Sequence, residues 1–132
     1  MKPNRSVPEA HVIPVLVYED VRGAVEWLQR VFGFTVRLHI PPFHRVQLAY
    51  GDFNVVAADR GAAGPAGVLL RVEDVDAVCA RAGDDAVVDP PHDWEYGERQ
   101  AAIVDPGGHR WTVSQTLFDA DPADWGGIVG RL

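Results

Sequence analysis

The sequence contains very little sulfur, few basic residues and no long apolar run. With one cysteine, Cys79, and one methionine, it has neither a disulfide framework nor a thiolate metal cluster, and we interpret Cys79 as core filler rather than a nucleophile. The 12 Lys and Arg residues against 19 Asp and Glu give a net charge of −7. Because an acidic surface repels a phosphate backbone, we expect no nucleic-acid partner. No stretch has the pattern of a membrane span or a secretion signal, so we expect a cytoplasmic protein with no membrane partner.

The residues that are present suffice for one hydrophobic core. Of the 132 residues, 47% are hydrophobic and 23% are charged, which is typical of a globular chain and not of a disordered one. A chain of this length usually forms one domain. We therefore predict that residues 1–132 form a single domain.

One short pattern occurs twice along the chain. Val17–Val21 reads VYEDV, and 54 residues later Arg71–Val75 reads RVEDV; at both places a predicted strand leads into a predicted helix. Hairpin-like segments follow each time, so the chain contains two units with the order βαβββ. Two such units can curl their sheets around a shared cavity, within one chain or across two. The predicted boundaries are 11–58 for unit one, 59–66 for a linker, 67–116 for unit two and 117–132 for a tail.

Local signals define the helices and strands of each unit. Asp20 precedes an apolar stripe of period 3.6 that predicts a helix over 21–32, and Gly33 is suited to end it. Asp74 likewise precedes a predicted helix over 75–82. Alternating or β-branched segments predict strands over 11–18, 35–40, 46–50, 54–58, 68–72, 87–88, 99–104 and 110–115.

Prolines and glycines mark the predicted breaks. Pro90-Pro91 is expected to cut the strand that begins at residue 87. Asp105–Gly108 supplies the chemistry of a tight turn, and His109 after it is expected to be a solvated turn residue. In the tail, Asp121 before Pro122 predicts a short helical turn, and we expect Trp125 to cover an apolar edge.

Two stretches of the chain resemble the vicinal oxygen chelate superfamily, which includes glyoxalase I, extradiol dioxygenases and bleomycin resistance-type proteins. The first stretch is Leu16–Asp20 leading into Ala24–Leu28 and Val31–Phe34, and the second is Tyr96–Arg99 followed by Asp105–Trp111. The resemblance covers about residues 12–116. It implies an α+β fold in which paired βαβββ units form a curled mixed sheet around a cavity, and we expect a homodimer to complete that cavity. It leaves the chemistry open, because one scaffold hosts several functions.

The resemblance also implies where a metal ion would be held. Metal-using members of the superfamily place one ligand at each of four points, which fall here on Ile13, Val55–Ala57, Gly67 and Thr112. None of these residues offers the imidazole or carboxylate that a divalent ion needs. The five histidines show no i, i+2 or i, i+4 pair that would build a local chelate. We therefore expect no metal ion and no cofactor.

A pocket for a small organic molecule is the remaining candidate site. Its predicted ligand-binding residues, on the walls and lip of the cavity, are Phe43, His44, Gln47, Trp94, Tyr96, Arg99, Arg110 and Thr112. Aromatic rings can stack on a flat ligand, and arginine can pair with its acid group. The alternative is that Trp94 and Tyr96 plug the cavity mouth and that Arg99 pairs with Glu98 or an aspartate.

Three functions are compatible with these observations. The first is a metal-free binding protein that sequesters an aromatic or antibiotic-like compound. The second is a lyase, isomerase or dioxygenase of the same superfamily with a displaced divalent metal site. The third is a dimeric accessory protein whose pocket has no dedicated ligand. The absence of metal-ligating residues at the four expected points favours the first.

Overall fold

Two helices and two four-stranded mixed sheets make up the fold. A computed structural model describes residues 2–62 and 64–130. In chain order the elements are β1 (Val15–Val17), α1 (Val21–Phe32), β2 (Thr35–Ile40), β3 (Arg45–Tyr50), β4 (Phe53–Ala58), β5 (Gly67–Arg71), α2 (Val75–Ala82), β6 (Val87–Asp93), β7 (Glu98–Val104), β8 (Arg110–Thr116) and a 3-10 helix (Pro122–Trp125). The sheets have the orders β1-β4-β3-β2 and β5-β8-β7-β6. The predicted α+β class and the βαβββ order of both halves are confirmed.

Each sheet contains one parallel pair and two antiparallel pairs. In the first sheet β1 runs parallel to β4, and the other neighbours are antiparallel. The second sheet repeats this arrangement, with β5 parallel to β8. A parallel neighbour needs a crossover connection, which the intervening helix and hairpin strands supply in each unit. Among the described residues, no helix is long and apolar enough to cross a membrane.

The chain divides into two compact units that are not simply its two halves. The first unit comprises the chain up to Ala66 together with Asp105–His109. The second comprises Gly67–Val104 and the chain from Arg110 onward. The turn of the second hairpin therefore groups with the first unit, although its two strands belong to the second.

Helix α1 forms where its caps and its apolar stripe predict it. The Asp20 side chain accepts a hydrogen bond from the Gly23 N–H at 3.0 Å, and Gly33 ends the helix in the left-handed region with φ 82°. One face is buried and consists of Val21, Ala24, Val25, Leu28, Val31 and Phe32. Helix α2 is built in the same way, with Asp74 accepting from the Ala77 N–H at 3.0 Å.

Two predicted strands differ from those observed by more than one residue at an end. Strand β1 is shorter than the predicted span 11–18; just before it, the Pro14 carbonyl accepts a hydrogen bond from the Val56 N–H at 2.9 Å. The prediction that Pro90-Pro91 ends its strand is wrong, because β6 continues through both prolines to Asp93. Strand β6 lies at a sheet edge and its register shifts twice, so the missing proline N–H groups break no regular ladder.

The prediction of a solvated His109 is also wrong. Its side chain is buried, with 2% of its surface exposed. Its Nδ1 accepts from the Ala66 N–H at 2.9 Å, and its Nε2–H donates to the Val17 carbonyl at 2.8 Å. Both partners are backbone groups far away in the sequence, so the local turn pattern gave no sign of them.

The residues around His109 form a buried polar cluster in the first unit. The Tyr18 hydroxyl donates to the Asp105 carboxylate, which also accepts from the backbone N–H groups of Gly107 at 2.9 Å and His109 at 3.0 Å. A Cβ on Gly107 would lie 2.6 Å from the Tyr18 ring, so only glycine permits this approach. Burial, and then the Asp105 carboxylate, raise the pKa of Tyr18 above its ordinary value.

Candidate functional site

A groove of about 490 Å³ lies on the open face of the second sheet. Strand alternation explains why polar residues line it. Ala102 and Thr112 are cross-strand partners and share this face, while Trp111 and Val113 point to the other face and are fully buried. Asp89 and Trp94 line the groove together with Pro90, His92, Gln100, Ala101, Ala102, Arg110 and Thr112.

A chain of aromatic contacts borders this groove. The Trp94 ring lies parallel to the Tyr96 ring with centroids 5.9 Å apart, and the edge of His92 meets Trp94 at 4.7 Å. On the tail, Trp125 contacts Tyr96 at 5.5 Å. The Tyr96 hydroxyl donates to the Gln100 side chain at 3.1 Å, which fixes the ring. Trp94 is 45% exposed and so has surface available for a ligand.

The two arginines predicted near this groove have different surroundings. Arg110 lines the groove and forms an ion pair with Asp89. Arg99 instead donates to both carboxylate oxygens of Asp76 at 2.9 Å and to Asp93 at 2.8 Å. The hydrogen bonds from Arg99 hold the pKa of Asp76 below its ordinary value. The alternative of an arginine paired with aspartate is therefore the one observed for Arg99.

Three predicted residues lie in the first unit. Phe43 has a strained φ of 92°, and its ring is stacked on His39 at 5.1 Å with the Arg22 guanidinium 5.1 Å away on a cation–π contact. His44 is exposed and pairs through Nδ1 with Asp59 at 2.7 Å. The hydrogen bond from His44 lowers the pKa of Asp59.

The third of these residues, Gln47, lies in a separate groove of about 510 Å³ on the first sheet, beside Ile13, Val15 and Val56. The groove on the second sheet thus brings together Trp94, Arg110 and Thr112 of the predicted set, with Tyr96 against Trp94. Phe43 and His44 are absent from both lining sets in the part of the chain that the structure describes.

Sequence reasoning missed Gln100 and Asp89 as groove residues. The alternation of Gln100 with Ala102 along β7 was a usable signal for Gln100. Asp89 gave no such signal, because Pro90-Pro91 was expected to end the strand that carries it.

The four points where the superfamily holds a metal ion carry unsuitable side chains. Ile13 and Val56 line the groove on the first sheet, Thr112 lines the groove on the second sheet, and Gly67 begins β5. Aliphatic side chains and a glycine supply no ligand atom, and a lone hydroxyl is a poor one. Within residues 2–62 and 64–130, no three His, Cys, Asp or Glu side chains are grouped closely enough to share a metal ion. The residues present do not fit the metal.

Two βαβββ units, each with one sheet face open, define the fold class of this protein. The chain belongs to the Glyoxalase/Bleomycin resistance protein/Dioxygenase superfamily, whose family model matches residues 10–113. No curated protein matches the chain.

Several solved structures are similar. TioX from Micromonospora sp. ML1 is 28% identical, with 85% of this chain and 100% of that chain covered and a TM-score of 0.69. TnmS3, an antibiotic binding protein from Streptomyces sp. CB03234, is 29% identical, covering 83% and 98% with a TM-score of 0.67. Lactoylglutathione lyase from Agrobacterium tumefaciens is 23% identical, covering 82% and 94% with a TM-score of 0.67. The last shows a shared fold only, so a binding protein and an enzyme are found on the same scaffold.

Proposed function

We propose that this protein binds a small, flat aromatic molecule without a metal ion and thereby sequesters it. The observation that carries the proposal is the groove on the second sheet, where the exposed face of Trp94 borders polar side chains. This combination of one large ring and a few directional polar groups suits a small organic ligand. The similarity to an antibiotic binding protein supports the same function.

Each groove residue has a role in this proposal. Trp94 stacks on the ligand ring, and its contacts with Tyr96 and His92 hold it in place. Arg110 exchanges its exposed Asp89 partner for an acid group on the ligand. Thr112 offers a hydroxyl from the groove floor. We leave Arg99 outside the proposed contacts, because two aspartates already hold it.

The enzyme alternative lacks a supporting observation at the site. A lyase, isomerase or dioxygenase of this superfamily needs a divalent ion, and the residues at the expected points, such as Ile13 and Gly67, offer no ligand atoms. A binding function needs only the groove and its side chains. We therefore infer sequestration rather than turnover.

The proposal is tested by titration with anthraquinone-2-sulfonate, a flat aromatic acid, monitored by tryptophan fluorescence and calorimetry. We expect quenching, and we expect Trp94→Ala to weaken binding by about 1–3 kcal/mol because a stacking ring is lost. Trp125→Ala is the matched control, since Trp125 is 41% exposed but does not line the groove. Should Trp94→Ala instead destabilise the fold by several kcal/mol and keep full affinity, Trp94 is a structural plug.

We also propose that the protein acts as a homodimer in the cytoplasm. Supporting observations are the apolar side chains on the edge strands: Leu69 on β5 and Val15 on β1 are 59% and 44% exposed. A two-fold interface would cover such edges in both copies at once. The lone Cys79 suits a reducing compartment.

A further inference from the structure

The groove on the first sheet is lined partly by the N-terminal segment of the same chain. Ser6, Val7 and Pro8 face a sheet surface that includes Val15 and Ile40. Residues 4–7 form a β-turn, in which the Val7 N–H donates to the Asn4 carbonyl at 3.2 Å. We call these four residues the N-terminal turn. Its conformation is reinforced by the Asn4 side chain, which accepts from the Ser6 N–H at 3.0 Å.

Two side chains of the sheet hold this turn by its backbone. Arg37 Nη2 donates to the Arg5 carbonyl at 2.9 Å, and Gln47 Nε2 donates to the Ser6 carbonyl at 2.8 Å. Arg37 Nη1 also donates to Gln47 Oε1, which orients the amide so that its NH2 group faces the turn. Arg5 and Ser6 are the central residues of the turn, whose carbonyls take no part in its own closing hydrogen bond. The two donors thus engage the carbonyls that any β-turn leaves available.

A β-bulge explains how Arg37 reaches this position. In the β2–β3 pairing Val36 opposes Leu48 and Leu38 opposes Gln47, so Arg37 is the extra, unpaired residue. Bulges redirect a side chain that regular alternation would send elsewhere, and they cluster beside functional sites. Here the bulge brings the guanidinium beside the Gln47 amide. The pair is therefore a feature of the strand geometry and not of the N-terminal segment alone.

We propose that Arg37 and Gln47 form a binding site for a peptide β-turn, which residues 4–7 of this chain occupy. The ligand class is a peptide segment whose two central turn carbonyls face the donors. Arg37 and Gln47 do not select the side chains of the bound segment, because both hydrogen bonds go to main-chain oxygens. A tethered segment has an effective concentration in the millimolar range, so a peptide in solution must compete at about that level. This site is independent of the proposed aromatic groove.

Trypsin offers a direct readout in the full chain. It cleaves after Arg5, and the carbonyl it must attack is the one that Arg37 holds. Cleavage therefore reports the fraction of molecules in which the turn is released. We expect Arg37→Ala to speed cleavage at this bond about tenfold and Gln47→Ala about fivefold, from the usual contribution of such hydrogen bonds. Arg45→Ala is the matched control, because Arg45 lines the same groove without bonding the turn in the described structure.

A second measurement tests whether the site accepts a peptide in trans. The probe is the acetylated, amidated peptide PNASVPEA, the sequence of residues 3–10 with Ala in place of Arg5, which trypsin cannot cut. At about 10 mM it should accelerate cleavage of the wild-type chain at least twofold by displacing the turn. The same peptide with an N-methylated residue at the position of Val7 cannot close the turn and should have no effect.

Two outcomes would overturn the proposal. If Arg37→Ala and Gln47→Ala leave cleavage after Arg5 within twofold of the Arg45→Ala rate, the donors do not hold the turn. If the variants do release the turn but the probe peptide never accelerates cleavage, Arg37 and Gln47 only fasten this chain's own N-terminus. Circular dichroism melts of each variant separate local release of the turn from general unfolding, since local release leaves the melting of the helices and sheets nearly unchanged.

Discussion

The buried hydrogen bond between Tyr18 and Asp105 is the most informative bond to remove. The two residues are 2% and 4% exposed and lie 87 positions apart in the sequence. Tyr18→Phe deletes only the hydroxyl and keeps the ring that packs against His109 and Gly107. The substitution therefore isolates the donor that the carboxylate loses. A buried hydrogen bond to a charged group contributes about 1.5–3 kcal/mol, and we expect a loss of that size in the free energy of unfolding.

Urea unfolding followed by circular dichroism measures this change. With a slope of about 2 kcal/mol per molar urea, the midpoint should fall by about 1 M. Tyr50→Phe is the matched control, because the described part of the chain gives the Tyr50 hydroxyl no hydrogen bond. A double-mutant cycle of Tyr18→Phe with Asp105→Asn should show a coupling well above 0.5 kcal/mol, since the two side chains are in direct contact.

The same bond predicts a dependence on alkaline pH. The folded-state pKa of Tyr18 is raised, by burial and then by the Asp105 carboxylate, whereas in the unfolded chain the phenol titrates near pH 10. Below about pH 10 both states keep the proton and the stabilisation is fully present. Above it the unfolded chain loses its proton first, so the free energy of unfolding falls by about 1.4 kcal/mol per pH unit. The Tyr18→Phe variant lacks this pH dependence, so the difference in free energy of unfolding between wild type and variant should narrow above pH 10. A Tyr18→Phe loss below 0.5 kcal/mol, with no narrowing, would refute the reasoning.

Two further predictions concern the metal and the assembly. Elemental analysis of purified protein should find far less than one Zn, Ni, Fe or Mn per chain, and a chelator should leave the melting temperature unchanged. A bound ion at a hundredfold excess over its Kd would add about 2.7 kcal/mol to the free energy of unfolding, so its removal would be seen. One tightly held ion per chain would revive the enzyme alternative. Light scattering at micromolar concentration should give twice the mass of the chain. The dimer interface should bury more than about 1,000 Å², and Leu69→Asp should lower the measured mass if the exposed edge of β5 takes part. A wild-type monomer would contradict the dimer.

The fold could be predicted where its determinants are local. Helix α1 begins and ends at the predicted residues because Asp20 and Gly33 act on backbone groups within one turn of themselves. The 3-10 helix forms for the same reason, because the Asp121 side chain accepts from the nearby Ala123 N–H. The 54-residue repeat then predicted the βαβββ order of both units, which the observed sheets confirm.

The candidate site was harder to predict because its contacts are not local. The partners of Arg99 lie on α2 and at the end of β6, and neither is implied by its neighbours in sequence. Gln47 was predicted to meet a ligand, and its amide meets the backbone of Ser6 instead, through a pairing that depends on the bulge at Arg37. Alternation indicates which face a residue occupies, but which group comes to that face is decided by tertiary packing.

The return of Asp105–His109 to the first unit has a consequence for synthesis on the ribosome. Asp105, the partner of Tyr18, is synthesised 87 residues later, and His109, the partner of the Val17 carbonyl, is synthesised 92 residues later. At about 5–20 residues per second, that delay lasts roughly 5–20 seconds. Until then α1 and the first sheet lack the turn that completes their unit, so the nascent first half displays an unfinished core. The first unit is therefore expected to acquire its final stability only after the Gly67–Val104 part of the second has been translated.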